Sequence, residues 1–241
     1  MRILHNSVLL SLVAGLLSCS RADRPQVTAE GRTTKAGTQY TVLYPNQLAI
    51  RVVTRRPVPD SQQYQLSVAA AYTDLATNQP LDLLVCNGRA LQARATVGFL
   101  NGVLTITGDS LRITRIASGH SPPEAVLHRV RRRQGTLLLQ ELLVYQGRNQ
   151  RPAGGSRFQR RALVEFAAHR FAVVENQAGR LTMQQFAAEL VELGAHNALY
   201  LDMGDWDEGW YRAGSRVVAL GTLRTETARQ SNWLVFVRPA R

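Results

Sequence analysis

The sequence predicts an α+β (mixed α/β) protein: a large mixed β-sheet core with few helices, including a strand-helix-strand crossover around residues 170–202. Three observations lead there. Short alternating or β-rich runs recur from Tyr40 to Phe236, separated by Pro, Gly and Asn breakers. One segment, Thr182 to Gly194, carries strong helix signals. The chain has 241 residues, 45% of them hydrophobic, which is enough to bury a core and excludes a disordered or collagen-like chain.

The first element in chain order is an export signal. Arg2 and His5 form a short basic head before the apolar stretch Val8 to Leu17, which is too short to span a bilayer comfortably. The ending Leu16-Leu17-Ser18-Cys19 resembles the bacterial lipoprotein signal, in which cleavage leaves a lipid-bearing cysteine as the first mature residue. An ordinary signal peptide that contains a cysteine is the alternative. Ser20 after that cysteine fits sorting to the outer membrane of a Gram-negative bacterium. Residues 1–18 are therefore read as signal peptide. Residues 19–39, polar and without apolar period, are read as a flexible tether, and 40–241 as the domain. With Cys19 lipidated, Cys86 has no disulfide partner and is read as a small buried hydrophobe in a strand.

Strands are expected over 40–44, 47–54, 65–72, 81–86, 103–107, 111–116, 136–145, 162–166 and 171–175, with surface loops at 119–123 and 151–155. Thr182 with Gln185 forms a capping box; Phe186, Leu190 and Leu193 make the apolar face, and Gly194 stops the helix. A strand over 198–201 follows, ending on Asp202. Strand, helix and strand within roughly 35 residues read as a crossover between parallel neighbours. Ligands of open α/β sheets sit at the carboxyl ends of such strands, where Asp202 lies.

The formal net charge is +12, from 29 basic and 17 acidic residues, with a sequence pI near 10.9. Lys35 is the sole lysine, so the bias towards arginine is read mostly as codon usage. Such a surface attracts anions without naming one. Arg129 to Arg133 reads as a solvated face or loop, with contact to anionic lipid or glycan as the functional alternative. No RNA-binding aromatic signature accompanies it, so nucleic acid is not an expected partner. There is no CxxC or HExxH, and His5, His120, His128, His169 and His196 lack metal-ligand spacing. No metal site or cofactor is predicted. Asp202, Asp205, Asp207 and Glu208 can ligate a hard cation, but their spacing fits no EF-hand loop.

Chemistry concentrates between Asp202 and Arg212, where four carboxylates, Trp206, Trp210 and Tyr211 share a short stretch. Paired carboxylates do acid and base work at glycosidic bonds, and tryptophan faces stack on sugars. An exposed loop of solvated acids is the alternative. Arg160 and Arg161 open a strand, where a guanidinium can hold phosphate bidentately; pairing with a surface acid is the other reading. Gln140 and Glu141 join the candidates if buried beside these groups.

Several of these segments resemble the phosphodiester glycosidase family, which includes a domain of the mannose 6-phosphate uncovering enzyme and related bacterial exported proteins. The residues are Arg160-Arg161-Ala162-Leu163-Val164, Leu181-Thr182 at the helix start, and Asn197-Ala198-Leu199-Tyr200-Leu201-Asp202-Met203-Gly204. Gln140 to Gly147 and Ala69-Ala70-Ala71-Tyr72-Thr73 match more loosely. Asp202 to Arg212 and Asn232 to Phe236 look like a lipoprotein branch. The resemblance spans about residues 65–237. Two motifs depart: the family's Asp-Gly-Gly is Asp202-Met203-Gly204, and an early Asn-Gly-Gly-x-Phe is absent near Tyr72.

The resemblance implies an exported hydrolase, a phosphodiester glycosidase, that cleaves a sugar-1-phosphodiester and releases free sugar. Asp202 and Arg160 would be catalytic. Arg161, Thr73, Gln140, Glu141, Asn197, Gly204, Asp205, Trp206 and Trp210 would bind substrate. The expected partners are the sugar-phosphodiester or glycan, and a bilayer reached through lipidated Cys19. The alternative is a catalytically silent lipoprotein of the same fold that binds a phosphosugar or anionic glycan.

Overall fold

The structure, a computed structural model, describes residues 25–108, 110–203, 208–221 and 229–239. Three sheets surround one shared core. The first has seven strands in the spatial order Gln26–Thr33, Gln39–Asn46, Arg170–Asn176, Arg161–Phe166, Asn197–Leu201, Leu142–Tyr145 and Arg148–Asn149. The second orders Ser110–Arg115, Gly102–Thr107, Thr136–Gln140, Leu84–Cys86 and Arg89–Gln92. The third orders Arg216–Leu220, Gly209–Ala213, Tyr64–Ala69, Trp233–Val237 and Ala49–Val53. Thr73–Asp74 and Gln79–Pro80 add a two-stranded ribbon.

Alternation along the strands sorts side chains between this core and the outer faces. Leu43, Leu163, Val173, Leu199 and Leu201 face inward from the first sheet and meet Leu104, Ile106 and Leu138 of the second and Leu66, Val68 and Leu234 of the third. On the outer face of the first sheet, Tyr40, Val42, Ala162 and Val164 pack under helix α2 (Met183–Glu192) through Phe186, Ala187 and Leu190. The Thr182 capping box is formed in full, as its sequence predicts. Helix α1 (Glu124–Arg132) covers the second sheet with Leu127 and Val130.

The mixed α/β expectation is overturned. Among the described residues 47% are strand and 11% helix, and every sheet is antiparallel, so the protein is mostly β. The strands flanking α2, expected as parallel neighbours, do not pair. Arg161–Phe166 lies between them, antiparallel to both. It meets Arg170–Asn176 across the short turn 167–169, and so close a connection costs little loop entropy. The helix therefore bridges over the strand that lies between its two flanking strands.

Smaller differences have local causes. Gln26–Thr33, expected within the tether, pairs along its whole length with Gln39–Asn46 as the edge of the first sheet. Only Val27 of this strand is fully buried, so it leaves almost no apolar period to read. Helix α1 was hidden in the basic run because two buried anchors make a weak pattern. The run 136–145, expected as one strand, breaks at Glu141 and continues into a different sheet.

That break needs a close approach. A Cβ on Gly102 would stand 2.1 Å from Leu199 Cδ2, 2.9 Å from Gln140 O and 3.2 Å from Leu142 Cα. Gly102→Ala is expected to lower stability by about 1–3 kcal/mol through overpacking, measured by urea unfolding. An unchanged midpoint would show that the crossing is looser than described.

Candidate functional site

The candidate site forms where strand Asn197–Leu201 ends, and three pieces of chain meet there. Asp202 N donates to Ala70 O at 3.0 Å, tying the first sheet to the segment after Tyr64–Ala69. Tyr200 N donates to Glu141 O at 3.0 Å, tying it to the sheet-changing residue. Asn232 clamps Ala71 by accepting from its N–H at 2.7 Å and donating to its carbonyl at 3.1 Å. Tyr72 follows directly.

These ties bring Arg160, Tyr200, Asp202, Glu141 and Tyr72 together. Arg160 precedes Arg161–Phe166 and shares the outer face with Ala162 and Val164. Its Nε donates to Leu181 O at 3.0 Å, Nη1 to Tyr200 Oη at 3.3 Å and Nη2 to Ser156 O at 2.6 Å. The guanidinium also lies 5.1 Å from the Phe158 ring centre and 5.6 Å from that of Tyr200. Among the described residues it has no ion-pair partner, although it is buried.

Glu141 is buried and held from two sides. Tyr72 Oη donates to its Oε1 at 2.6 Å, and Arg151 forms an ion pair with its Oε2. The Tyr72 and Tyr200 rings tilt against each other at 5.9 Å. Burial pushes the Tyr72 phenol far up, with Glu141, Tyr200 and Asp202 adding to the rise. Burial also raises Tyr200; the Arg160 cation opposes this and the Asp202 charge reinforces it. Both phenols therefore remain hydrogen-bond donors at neutral pH.

Other predicted residues lie elsewhere. Arg161 points through the opposite face, buried and paired with Glu175 through Nε at 2.5 Å and through Nη2. Gln159 and the Gly221 amide also donate to Glu175, at 3.1 and 3.0 Å. Gly209 passes so close that a Cβ there would stand 3.2 Å from Arg161 Nη2. Thr73 bonds Gln230 and Ser231 at 2.9 Å each, holding the segment before Trp233–Val237. Gln140 accepts from the Glu141 amide at 2.8 Å and donates to Ala70 O, so it shapes the sheet change. Asn197 lies at the far end of its strand, donating to Glu165 at 2.7 Å. Trp210 belongs to the third sheet and lines a small crevice with Trp233, Arg56 and Glu208. Gly204, Asp205, Trp206 and Asp207 lie outside the described residues, as does Cys19. Glu208 bonds Arg56 at 2.6 Å.

Tyr72, Tyr200 and Arg151 were missed as site residues. Tyr200 and Tyr72 stand within segments that drew attention, but as apolar-run residues they read as core. Arg151 follows a turn, and only the folded loop brings it to Glu141. Among the described residues no three His, Cys, Asp or Glu side chains cluster to hold a metal ion.

No protein-family model matches the chain, and no curated protein does. Among solved structures it is similar to the zebrafish N-acetylglucosamine-1-phosphodiester α-N-acetylglucosaminidase catalytic domain, auto-inhibited by its pro-peptide. The TM-score is 0.58 at 11% identity, over 89% of this chain and 83% of that one. The chain shares that fold distantly. It is also similar to a hypothetical protein from Synechocystis, at TM-score 0.48 and 15% identity, over 90% of this chain and 65% of that one.

Two outcomes test this geometry. A phenol whose folded pKa lies above its unfolded value of about 10 contributes stability that is intact below that pH and lost as pH rises through the folded value. Of the seven tyrosines, Tyr40, Tyr72 and Tyr200 are raised by burial, Tyr40 also by Glu189. Absorbance titration should show these three phenols ionising only together with alkaline unfolding; their ionisation before any loss of circular dichroism would contradict the buried cluster. Separately, Glu175→Ala leaves Arg161 charged in the core and is expected to cost about 3–5 kcal/mol in denaturant unfolding. A cost below about 1 kcal/mol would mean the pair is solvated, as exposed ion pairs are.

Proposed function

We propose that the chain is an exported, lipid-anchored hydrolase, a phosphodiester glycosidase that cleaves a sugar-1-phosphodiester and releases free sugar. The observation that carries this reading is Arg160. Among the described residues the hydrogen bonds of this buried guanidinium end on two carbonyls and a phenol, an arrangement suited to receiving a bound anion. Buried Asp202 lies at the same strand end, and its charge acts on Tyr72 and Tyr200. An anion site beside a carboxylate suits a bond between an anomeric carbon and phosphate. The distant fold likeness to a catalytic domain named for such a bond supports it.

In this mechanism water attacks the anomeric carbon, the carbon–oxygen bond to phosphate breaks, and the phosphate monoester leaves with the electron pair. Arg160 stabilises the charge that gathers on the leaving group. Asp202 supports the positive charge on the sugar as nucleophile, as base towards water, or as electrostatic partner. Glu141 has its two carboxylate oxygens engaged by Tyr72 and Arg151, so it frames the site. Phosphate leaves as an anion, which lessens the need for a second, acidic carboxyl.

Met203, where the resembled motif has glycine, is buried in the α2 cluster and so takes up core volume. In this reading the anchor is lipid on Cys19 of the Leu16-Leu17-Ser18-Cys19 signal, and Ser20 after it supports sorting to the outer membrane of a Gram-negative bacterium.

The test is incubation with a panel of sugar-1-phosphodiesters and nucleotide sugars, assayed for reducing sugar. Asp202→Asn and Arg160→Ala are each expected to lower the rate at least about 100-fold. Equal release by both variants would discard this site. Ligand bound but recovered unchanged would assign the protein as a binding module.

A further inference from the structure

At the opposite end of the sandwich, a recess of about 420 Å³ opens between the three sheets. Its floor is the central core: Leu48, Ile50, Ile106, Leu111 and Phe171 belong to that cluster and line the recess. The volume falls within the roughly 300–1,000 Å³ typical of small-ligand sites. His169 stands on its wall.

The fold positions this one imidazole with unusual thoroughness. Nδ1 lies 2.5 Å from Glu165 Oε1, and the other Glu165 oxygen accepts from Asn197 Nδ2 at 2.7 Å. The ring sits edge-on to Phe171, with centres 4.9 Å apart. Ala168 and His169 both take left-handed backbone angles, φ 57° and 56°, as the tight turn between Arg161–Phe166 and Arg170–Asn176 requires, and this fixes where the ring is presented. The His169 side chain is 59% exposed, so its free ring edge is accessible. An exposed imidazole held by Glu165 on the wall of a recess with an apolar floor points to a ligand.

We propose that this recess binds a single-chain fatty acid, its alkyl chain on the apolar floor and its carboxyl group on His169 Nε2. With Nδ1 directed at Glu165, a neutral ring presents Nε2 as an acceptor and a charged ring presents it as a donor. A carboxyl head suits both states: the acid donates to the first and the carboxylate accepts from the second. One competing occupant is the chain's own lipid. Gln26 pairs with Asn46, beside the recess residues Pro45 and Gln47, and lies seven residues after Cys19, a reach of at most about 25 Å.

Calorimetric titration of the full chain with decanoate tests the proposal. One saturable site per chain is expected. His169→Asn, which tolerates the left-handed backbone, should weaken it at least about tenfold, the loss of one charge-assisted hydrogen bond. Leu111→Trp, which fills the recess, should abolish it, while Asp202→Asn should leave it unchanged. No saturable binding, equal affinity in His169→Asn, or loss in Asp202→Asn instead would overturn the assignment. So would binding that appears only in Cys19→Ala, which would give the recess to the chain's own lipid.

Discussion

The chain changes sheets at Glu141, and the candidate site depends on that change. Thr136–Gln140 pairs with Gly102–Thr107 in one sheet; two residues later Leu142–Tyr145 pairs with Asn197–Leu201 in another. The residue between them belongs to neither ladder. Its carbonyl accepts from Tyr200, and its side chain is turned into the junction, where Tyr72 and Arg151 hold it. Gly102 lets the two sheets approach closely enough for this, since any side chain there would collide with Leu199 and the backbone of Gln140. Without the crossing, Glu141 would be one more residue of a long strand. Asp202 and Arg160 would then face only the helix-covered side of one sheet.

The adjacent arginines show how strand geometry divides chemistry. Side chains of neighbouring residues in a strand leave on opposite faces. Arg160 therefore lies beside Tyr200, with neutral acceptors around it, and Arg161 lies in the central core, neutralised by Glu175. Two identical side chains take opposite roles. One ties the first sheet to the segment that carries Gly209 and Gly221, and the other, without an ion-pair partner among the described residues, stands at the end of strand Asn197–Leu201. The same alternation sends Trp210 to the outer face of the third sheet, away from the site.

Much of the local structure was legible. The capping box at Thr182, the stop at Gly194 and most strands rest on interactions between residues close in sequence, and these appear as periods and breakers. The α/β class was misread because a strand-helix-strand pattern specifies element order but not which strands become neighbours. Arg161–Phe166 took the middle place through its short turn to Arg170–Asn176. Helix α1 and the strand Gln26–Thr33 bury too few apolar residues to show a period. In the site, Arg160, Asp202 and Glu141 were singled out by residue type and placement, whereas Tyr72, Tyr200 and Arg151 matter only through partners distant in the chain.

By itself, therefore, the sequence determined the sheet-rich composition, the one strongly capped helix and the placement of Asp202 at a strand end. Each follows from short-range sterics, hydrogen bonding or hydrophobic alternation. Tertiary structure alone decided that every sheet is antiparallel, that Glu141 stands between two sheets, and that, among the described residues, one arginine of a pair has a carboxylate partner while its neighbour has none. These outcomes depend on which distant segments share a ladder and on where burial removes water from a charge. Neither quantity is a property of neighbouring residues.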